Sequence, residues 1–290
     1  GIIYVMGGHP KNGSTLSVNE AYNPTTNTWT TKAAMPTNRT NLAAAAANNK
    51  IYALGGLKTS TCLRNNEEYD PTTNTWATKT QMPTARCYFS AQSVNGKIYA
   101  IGGFASLSLN TNEEYNPSGN SWATKANIPI ETDSMASTVL GNKIYLIAGM
   151  RGSILTNRVW MYDVLHNTYT AQQNYPISDN EPAAATINGY IYSVGGDDLS
   201  ATVYKNNYQY DPGIPTPIAT ASNESTSASP LAANFASGWI NFDLKPLVQE
   251  WVDGVRPNNG LVLYTEVADQ FSINSRENSS NKPQLIVTYQ

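Results

Sequence analysis

Residues 66–86 read NEEYDPTTNTWATKTQMPTAR, and this stretch decides the fold because the chain repeats it. A close copy, NEAYNPTTNTWTTKAAMPTNR, covers residues 19–39, and NEEYNPSGNSWATKANIP covers residues 112–129. Each copy carries a tyrosine, a turn-forming segment and a tryptophan in the same order. Internal repetition of this kind predicts a fold that is assembled from one supersecondary unit.

Other markers keep the period of this stretch. Glycine pairs end the apolar segments IIYVMGG, KIYALGG, KIYAIGG and YIYSVGG, and a degenerate copy, KIYLIAG, ends at Gly149. The second glycines, the tyrosines and the tryptophans each recur every 46 to 48 residues, with Tyr169 in the place of the fourth tryptophan. Three markers in register predict five repeats over residues 1–212.

Each repeat is predicted to form four short β-strands. In the second repeat a strand of small residues, NLAAAAANN, precedes the alternating strand KIYALGG, and RNNEEYD and TWATKTQMP follow. The glycine pairs permit positive φ and a close approach of neighbouring backbone. The Pro-Thr-Thr-Asn segment supplies the turn between the third and fourth strands. The acidic residues of the repeated stretch are therefore interpreted as structural rather than catalytic.

Four strands, a glycine pair and a tyrosine seven residues before a tryptophan resemble the kelch repeat, whose blades form a β-propeller. The resemblance covers residues 1–212 and implies an all-β fold with five visible blades. The first unit lacks its innermost strand, and the fifth ends at YQYDP without its Trp strand. Because these gaps would leave strand edges unpaired, we expect the complete propeller to have six blades.

The period fails beyond residue 212. Residues 213–236 are rich in Pro, Ser, Thr and Ala, which is typical of a linker or a discontinuity. An alternative is that they supply the missing strands of the fifth blade. Residues 237–290 predict alternating strands around a short amphipathic turn that carries Leu247, Val248 and Trp251.

This tail resembles the C-terminal half of the DNRLRE (disaggregatase-related) module, a β-sandwich of microbial extracellular proteins. The matching segments are FDL at 242–244, LVQEWVDG at 247–254, NNGLVL at 258–263 and KPQLIVTY at 282–289. The N-terminal half of that family has no match here, which predicts an interruption of the chain near residues 211–216. Each partial domain would expose strand edges. Missing parts of the polypeptide would cover them, or a strand of a neighbouring subunit would do so by β-augmentation.

Composition limits the function classes. The chain has 18 basic and 21 acidic residues, and the basic residues are scattered, which argues against a nucleic-acid partner. No apolar run reaches the roughly 20 residues that span a bilayer. Charged residues make up 13% of the chain, a low share that is common in secreted and cell-surface proteins. We therefore expect a secreted or surface protein. The chain as given lacks a signal peptide, and it looks trimmed because Gly1 opens directly inside the strand-like segment GIIYVMGG.

The only cysteines are Cys62 and Cys87. Cys62 follows the second strand of one blade and Cys87 begins the inner strand of the next, so both fall on the same propeller face. An oxidising compartment would permit a disulfide between them, and two buried thiols are the alternative.

The propeller resemblance places the loops after the second strands and the links between blades on one face around the central channel. This face is predicted to bind a ligand, although solvated loop tips are the simpler interpretation. The candidate ligand-binding residues are Arg39, Arg86, Glu131, Arg151, Asp179 and Glu181.

Two secreted enzyme types share the kelch architecture. A galactose-oxidase-like copper site needs two histidines, but His166 lies in an outer turn, so His9 would stand alone. A sialic-acid-mutarotase-like site needs an arginine and a carboxylate, which Arg39 or Arg86 with Glu131 or Glu181 could supply. The sequence contains no nucleophile elbow, phosphate loop, zinc spacing or calcium loop, so we predict no cofactor and no metal.

The sequence therefore predicts a binding or adhesion protein rather than an enzyme. The expected partner is a polysaccharide or an extracellular protein, and self-assembly into a surface structure is a further expectation. The alternative is a secreted carbohydrate-active enzyme with its site at the mouth of the channel.

Overall fold

The computed structural model describes residues 1–10, 14–200 and 203–212 in full, and beyond residue 212 it describes the backbone of six strands. The chain divides into two compact units, Gly1–Asn207 and Tyr208–Gln290. Every regular element among the described residues is a β-strand. The described residues contain five blades, so the predicted all-β, kelch-type propeller fold is confirmed, and the sixth blade that we expect of the complete propeller stays a prediction.

The first two blades follow the predicted order of strands. Blade 1 has three antiparallel strands, β1 (Ile3–Met6), β2 (Asn19–Asn23) and β3 (Thr28–Thr31). Blade 2 has four, in the order β4 (Ala43–Ala47), β5 (Lys50–Leu54), β8 (Asn66–Asp70) and β9 (Thr75–Thr78). A small hairpin, β6 (Leu57–Lys58) with β7 (Thr61–Cys62), fills its central loop.

Blades 3 and 4 repeat this order. Blade 3 consists of β10 (Ser90–Val94), β11 (Lys97–Ile101), β12 (Asn112–Asn116) and β13 (Ser121–Lys125). Blade 4 consists of β14 (Ala136–Leu140), β15 (Lys143–Ile147), β18 (Val159–Asp163) and β19 (Thr168–Ala171). Its central loop holds the hairpin β16 (Met150–Arg151) with β17 (Ile154–Leu155).

Blade 5 begins with the antiparallel pair β20 (Ala183–Ile187) and β21 (Tyr190–Val194). Strand β22 (Asn207–Tyr210) starts at the last residue of the first unit and continues into the second unit. The innermost strands form a row in which β10 contacts β4 and β14, and β14 contacts β20. Among the described residues, blade 1 contributes no strand to this row, as the sequence predicts.

The hydrophobic cores lie between neighbouring blades because successive side chains of each second strand point to opposite faces of its sheet. In blade 3, Ile98 and Ala100 pack toward Tyr52 and Leu54 of blade 2. Tyr99 and Ile101 of the same strand belong to the cluster with blade 4. A strand buried on both faces must be apolar throughout its length, which explains the runs KIYALGG and KIYAIGG.

The second unit contains a five-stranded antiparallel sheet in the order β24-β23-β26-β27-β28. Its strands and the short strand β25 have these bounds: β23 (Ile218–Ser222), β24 (Leu231–Asn234), β25 (Trp239–Ile240), β26 (Leu261–Thr265), β27 (Gln270–Glu277) and β28 (Pro283–Tyr289). The segment predicted as a linker or as strands of the fifth blade thus contains β23 and β24, which pair with each other. The predicted turn at residues 247–251 lies outside the described residues.

Strand β25 corrects one expectation from the sequence. The fifth repeat was expected to lack a Trp strand, but β22 pairs with β25 and places Tyr210 opposite Trp239. Tyr22 and Trp29, and Tyr69 and Trp76, face each other in the same register. Strand register is set by which residues face each other and not by the length of chain between the strands. A long segment separates β22 from β25, so the spacing of seven residues between Tyr and Trp does not identify Tyr210 and Trp239 as a pair.

Candidate functional site

The loop face of the propeller is the end that carries the loops after the second strands and the links between blades. Short bridges tie each link to the loop of the blade that follows. They join Thr40 to Leu57, Cys87 to Phe104, Asp133 to Met150 and Asn180 to Asp197. The central loops of blades 2 to 4 cover residues 55–65, 102–111 and 148–158, and the links that precede these blades and blade 5 cover residues 32–42, 79–89, 126–135 and 172–182.

A chain of backbone hydrogen bonds runs through this face from blade to blade. The Tyr88 N–H donates to the Asn41 carbonyl at 3.1 Å, the Ser134 N–H to the Tyr88 carbonyl at 2.9 Å, and the Glu181 N–H to the Ser134 carbonyl at 3.0 Å. All four residues have φ between 50° and 55°. They occupy equivalent positions of the repeat, so the backbone is fixed while the side chain at each position is free to vary.

One side of this face is acidic. Asp133 is buried and accepts hydrogen bonds from the Ser108 hydroxyl at 2.6 Å and the Ser134 hydroxyl at 3.1 Å. Burial raises the pKa of Asp133, and burial together with the charges of Asp197 and Asp133 raises the pKa of Glu181. The pKa of Tyr88 is raised by burial and by the nearby carboxylates of Glu181 and Asp133. These groups therefore share one electrostatic environment.

Two of the predicted ligand residues form an exposed ion pair. The Arg151 Nε donates to Glu131 Oε1 at 2.8 Å, and the two side chains are 59% and 40% exposed. Hydrogen bonds from its own backbone and from Arg151 lower the pKa of Glu131. Both side chains line a pocket of about 460 Å³ with Leu107 and Leu109. This pair is accessible to a partner.

Arg39 and Arg86, also predicted to bind ligand, are completely buried. Arg39 pairs with Glu67 Oε2 at 2.6 Å and donates to the Ala53 carbonyl at 3.0 Å. Arg86 pairs with Glu113 and donates to backbone carbonyls of blade 3. Each guanidinium ties a link to the following blade. The sequence identified the link correctly but gave no sign that the side chain points inward, where backbone carbonyls need donors.

Asp179 stands at the position of these arginines in the fifth repeat. It is completely buried and has no cationic partner among the described residues. Burial is the main cause that raises its pKa to about 7, and the charge of Asp197 adds to the effect. Because its side chain is completely buried, Asp179 is not available to an external ligand.

The central channel is lined by small and neutral side chains. Its cavity of about 480 Å³ is bounded by four inner strands, through residues 44–46, 91–93, 137–139 and 184–186. Gln92 donates to the Ser137 hydroxyl at 2.8 Å, and the Thr138 and Thr186 hydroxyls lie 2.9 Å apart. The described residues of the channel wall thus satisfy part of their own hydrogen-bonding capacity, and none of them is charged.

Cys62 and Cys87 form a disulfide that joins the hairpin β6–β7 to the link before blade 3. In the part of the chain that the structure describes, no three His, Cys, Asp or Glu side chains are arranged to hold a metal ion. The same residues include no helix with the length and hydropathy of a membrane span.

Sequence reasoning missed several residues of the loop face. Tyr88 could have been found by aligning the repeats, because it is equivalent to Asn41, Ser134 and Glu181. Leu107 and Ile154 are 77% and 70% exposed, and no repeat marker identifies them. Their loops differ in sequence from blade to blade, so only the structure reveals that they project into solvent.

Comparison with known proteins agrees with this geometry. Residues 1–127 match the model of the KLHDC2/KLHL20/DRC7 Kelch-repeats domain, and residues 133–174 match the Kelch motif. An F-box/kelch-repeat protein of Arabidopsis thaliana is 41% identical over 61 residues, which cover 21% of this chain and 16% of that protein. The chain thus spans a small part of that relative.

The matched segments are kelch repeats, and together they include most of the described propeller. A kelch propeller indicates a protein-binding role. Such propellers are generally not enzymes, which is consistent with the expectation of a non-catalytic protein.

Proposed function

We propose, from the kelch repeats in residues 1–127 and 133–174, that this chain recruits a protein partner through its loop face. The observation that carries the proposal is the pair of exposed aliphatic side chains, Leu107 and Ile154, which project from the loops of adjacent blades. Arg151 belongs to the pockets that contain each of them. Exposed apolar side chains beside an arginine are typical of protein interfaces.

The burial and ion pairing of Arg39 and Arg86 support a binding function over a catalytic one. A mutarotase-like site needs an arginine that converges with a carboxylate at the channel mouth. Arg39 and Arg86 are instead engaged with Glu67 and Glu113 below the surface. The enzyme alternative therefore lacks the two arginines on which it was based.

A secreted or cell-surface location is part of the proposal. Its support is the disulfide between Cys62 and Cys87, which an oxidising compartment would maintain, and the low share of charged residues. The resemblance of the tail to a DNRLRE module points to the same location. Thiol titration of the chain from its native source checks this: we expect no free thiol before reduction and two after it. Two free thiols in the native protein would rule out the disulfide and remove this support for an extracellular location.

A polysaccharide partner remains the second candidate, and the observation in its favour is the channel lining. Hydroxyl and amide groups of Gln92, Ser93, Ser137 and Thr138 line a neutral cavity that suits sugar hydroxyls. A glycan array with the full chain tests it, with Gln92→Ala as the channel variant. Binding that survives this substitution would argue against the channel as a sugar site.

Self-assembly is the third element of the proposal. In the described residues, β1 pairs with β2 alone, so its other edge is open. A groove of about 370 Å³ lies beside this edge, between Tyr4 and residues 44–46 of β4. Such a slot suits an added strand.

Affinity capture with three versions of the full chain tests the main proposal. Leu107→Glu alters the loop face, and Leu165→Glu alters another exposed leucine, in the turn on the opposite face. We expect a partner that is captured by the native chain and by Leu165→Glu but lost with Leu107→Glu. A partner that is lost only with Leu165→Glu would contradict binding through the loop face.

A further inference from the structure

Three consecutive links of the loop face bring a tyrosine and a glutamate together. Tyr88, Ser134 and Glu181 stand at equivalent positions of the links before blades 3, 4 and 5. The Ser134 N–H donates to the Tyr88 carbonyl, and the Glu181 N–H donates to the Ser134 carbonyl. Tyr88 is half-buried and Glu181 is exposed. Two side chains that a partner can reach therefore lie on either side of Ser134.

Two further carboxylates lie beside these side chains. Asp133 belongs to the link between them, and Asp197 is bridged to Asn180, the residue before Glu181. We call the surface formed by these groups the acidic patch; its residues are Tyr88, Asp133, Asn180, Glu181 and Asp197.

The carboxylates of the acidic patch have no cationic partner in the part of the chain that the structure describes. None of Asp133, Glu181 and Asp197 forms an ion pair there. Burial and the carboxylates of Asp197 and Asp133 raise the pKa of Glu181, and no positively charged side chain of the described residues offsets them. Because like charges disfavour one another's ionised form, a bound cation would stabilise all three carboxylates.

Asn180 provides independent evidence of a missing donor. Its side chain is 7% exposed, and its Nδ2 donates to the Asp197 carboxylate at 3.2 Å. Its Oδ1 is buried and accepts no hydrogen bond from the described residues. Buried acceptors normally have a donor, and this amide group lies against a carboxylate of the patch. A donor that enters the patch would therefore complete the hydrogen bonding of Asn180.

These acceptors suit an ammonium group better than a metal ion. Among the described residues, no three His, Cys, Asp or Glu side chains are arranged to hold a metal ion. The ammonium group of a lysine has three N–H donors, which separate acceptors can share. Its charge is also attracted to the face of an aromatic ring. Tyr88 supplies such a ring, and the charges of Glu181 and Asp133 contribute to the raised pKa of its hydroxyl.

We propose that the acidic patch binds a lysine side chain of the protein partner, an inference that rests on the proposed function. Glu181 is the main acceptor because its side chain is exposed. The Tyr88 ring covers the ammonium group, and the Asn180 Oδ1 accepts one of its N–H groups. Asp133 and Asp197 add negative charge, which makes the contact selective for a cation.

Calorimetric titration of the full chain with trilysine, capped at both ends by acetyl and amide groups, tests the proposal. The matched probe is the same peptide with every lysine side chain acetylated, which removes the charge and keeps the length. We expect trilysine to bind at least about tenfold more tightly than the acetylated peptide. Added salt should weaken the binding of trilysine.

Three variants locate the contact. Glu181→Gln should weaken the binding of trilysine about tenfold, and Tyr88→Asn should weaken it several-fold. Asparagine suits this position because the equivalent Asn41 has a φ of 50°, close to the 53° of Tyr88. Glu20→Gln is the matched control, since it removes one exposed negative charge that lies outside the patch. It should leave the affinity unchanged. Unfolding midpoints show whether the variants fold as the native chain does.

The contrary outcomes separate this inference from the proposed function. No binding of trilysine, equal binding of the two peptides, or full binding by Glu181→Gln would each overturn the lysine site, while capture of a partner through Leu107 would stand. Binding of a glucosamine trimer that depends on Glu181, without binding of trilysine, would overturn the assignment to lysine in favour of an amino sugar. A chain that binds trilysine through Glu181 but captures no protein partner would support the lysine site and contradict the proposed function.

Discussion

At the scale of single residues, the glycine pairs show most clearly why the repeat has its sequence. Gly55 adopts a φ of +53°, and a Cβ at this position would lie 2.4 Å from the Arg86 carbonyl oxygen. Gly102 has the same relation to Thr132. In blades 2 and 3 the second strand can approach the next link only because these positions carry no side chain.

Replacement of Gly55 by alanine tests this interpretation. Gly55→Ala should destabilise the propeller by about 3 kcal/mol or more, because the positive φ and the backbone clash act together. Gly141→Ala is the control, since its φ of +60° is similar but nothing lies within 4 Å of the added Cβ. It should cost about 1 kcal/mol. Urea unfolding gives both values, and equal losses would refute the close-packing argument.

Asp179 provides a pH-dependent prediction at the same scale. Its folded pKa of about 7 lies above that of an unfolded aspartate, so the folded state holds its proton more tightly. Stability from this group is present at low pH and is lost as pH rises toward and through 7. Asp179→Asn should therefore be more stable than the native chain at pH 8, by on the order of 3 kcal/mol, with little gain at pH 4.

The comparison of the two proteins isolates Asp179, because Asp133 and Glu181, whose pKa values are also raised, remain in both. Unfolding by urea at pH 4, 6 and 8 measures the difference. A difference that does not change with pH would contradict a buried, proton-binding Asp179.

At the scale of elements, asparagines in the turns between third and fourth strands join one blade to the next. Asn74 has a φ of +56° and its Oδ1 accepts hydrogen bonds from the Tyr69 hydroxyl at 2.8 Å and from the Ala33 N–H at 2.9 Å. The Trp76 indole N–H donates to the Ala33 carbonyl at 2.7 Å. The repeated Tyr, Asn and Trp are therefore a connection between blades.

Substitution of Asn74 by glycine removes the side-chain bonds while it keeps the positive φ. Asn74→Gly should destabilise the propeller by about 1–2 kcal/mol. Asn27→Gly is the matched control. Asn27 has a φ of +54°, and its side chain accepts a hydrogen bond from the Tyr22 hydroxyl. Among the described residues, no neighbouring blade donates a hydrogen bond to Asn27. Its loss should be about half as large. Similar losses in urea unfolding would argue against the connection between blades.

The sequence predicts the strands of the propeller but not all of the contacts between them. Tyr69 and Trp76 are markers of the repeat in the sequence, and the structure shows that they pair across the hairpin. Trp239 lacks the spacing of the repeat, since it follows Tyr210 after a long insertion. Arg39 and Arg86 were correctly assigned to links, but a link has no periodicity from which the direction of a side chain can be read. The loop-face residues Leu107 and Ile154 lie where the repeats differ, so their exposure depended on the folded loops.

At the scale of the whole molecule, the open edge of β1 is relevant to assembly. Exposed strand edges favour pairing with another chain, and the groove beside β1 is lined by Ala44. Light scattering at micromolar concentration should detect oligomers of the native chain. Ala44→Lys should shift them toward monomer, because a lysine obstructs strand addition.

Ala123→Lys provides the control for this measurement, since it adds the same charge to an exposed position of the outer strand β13. It should leave the oligomers intact. A native chain that is monomeric at micromolar concentration would remove the assembly proposal, and it would leave binding through the loop face untouched.

Hydrogen exchange of the chain with and without its captured protein partner tests the central claim most directly. Because the loop face is proposed to hold the partner, amides of residues 102–111 and 148–158 should exchange more slowly in the complex. Amides in the turns at 71–74, 117–120 and 164–167, on the opposite face, should exchange at unchanged rates. Protection confined to these turns, with unchanged exchange in the two loops, would contradict the claim that this kelch propeller binds its partner through the loop face.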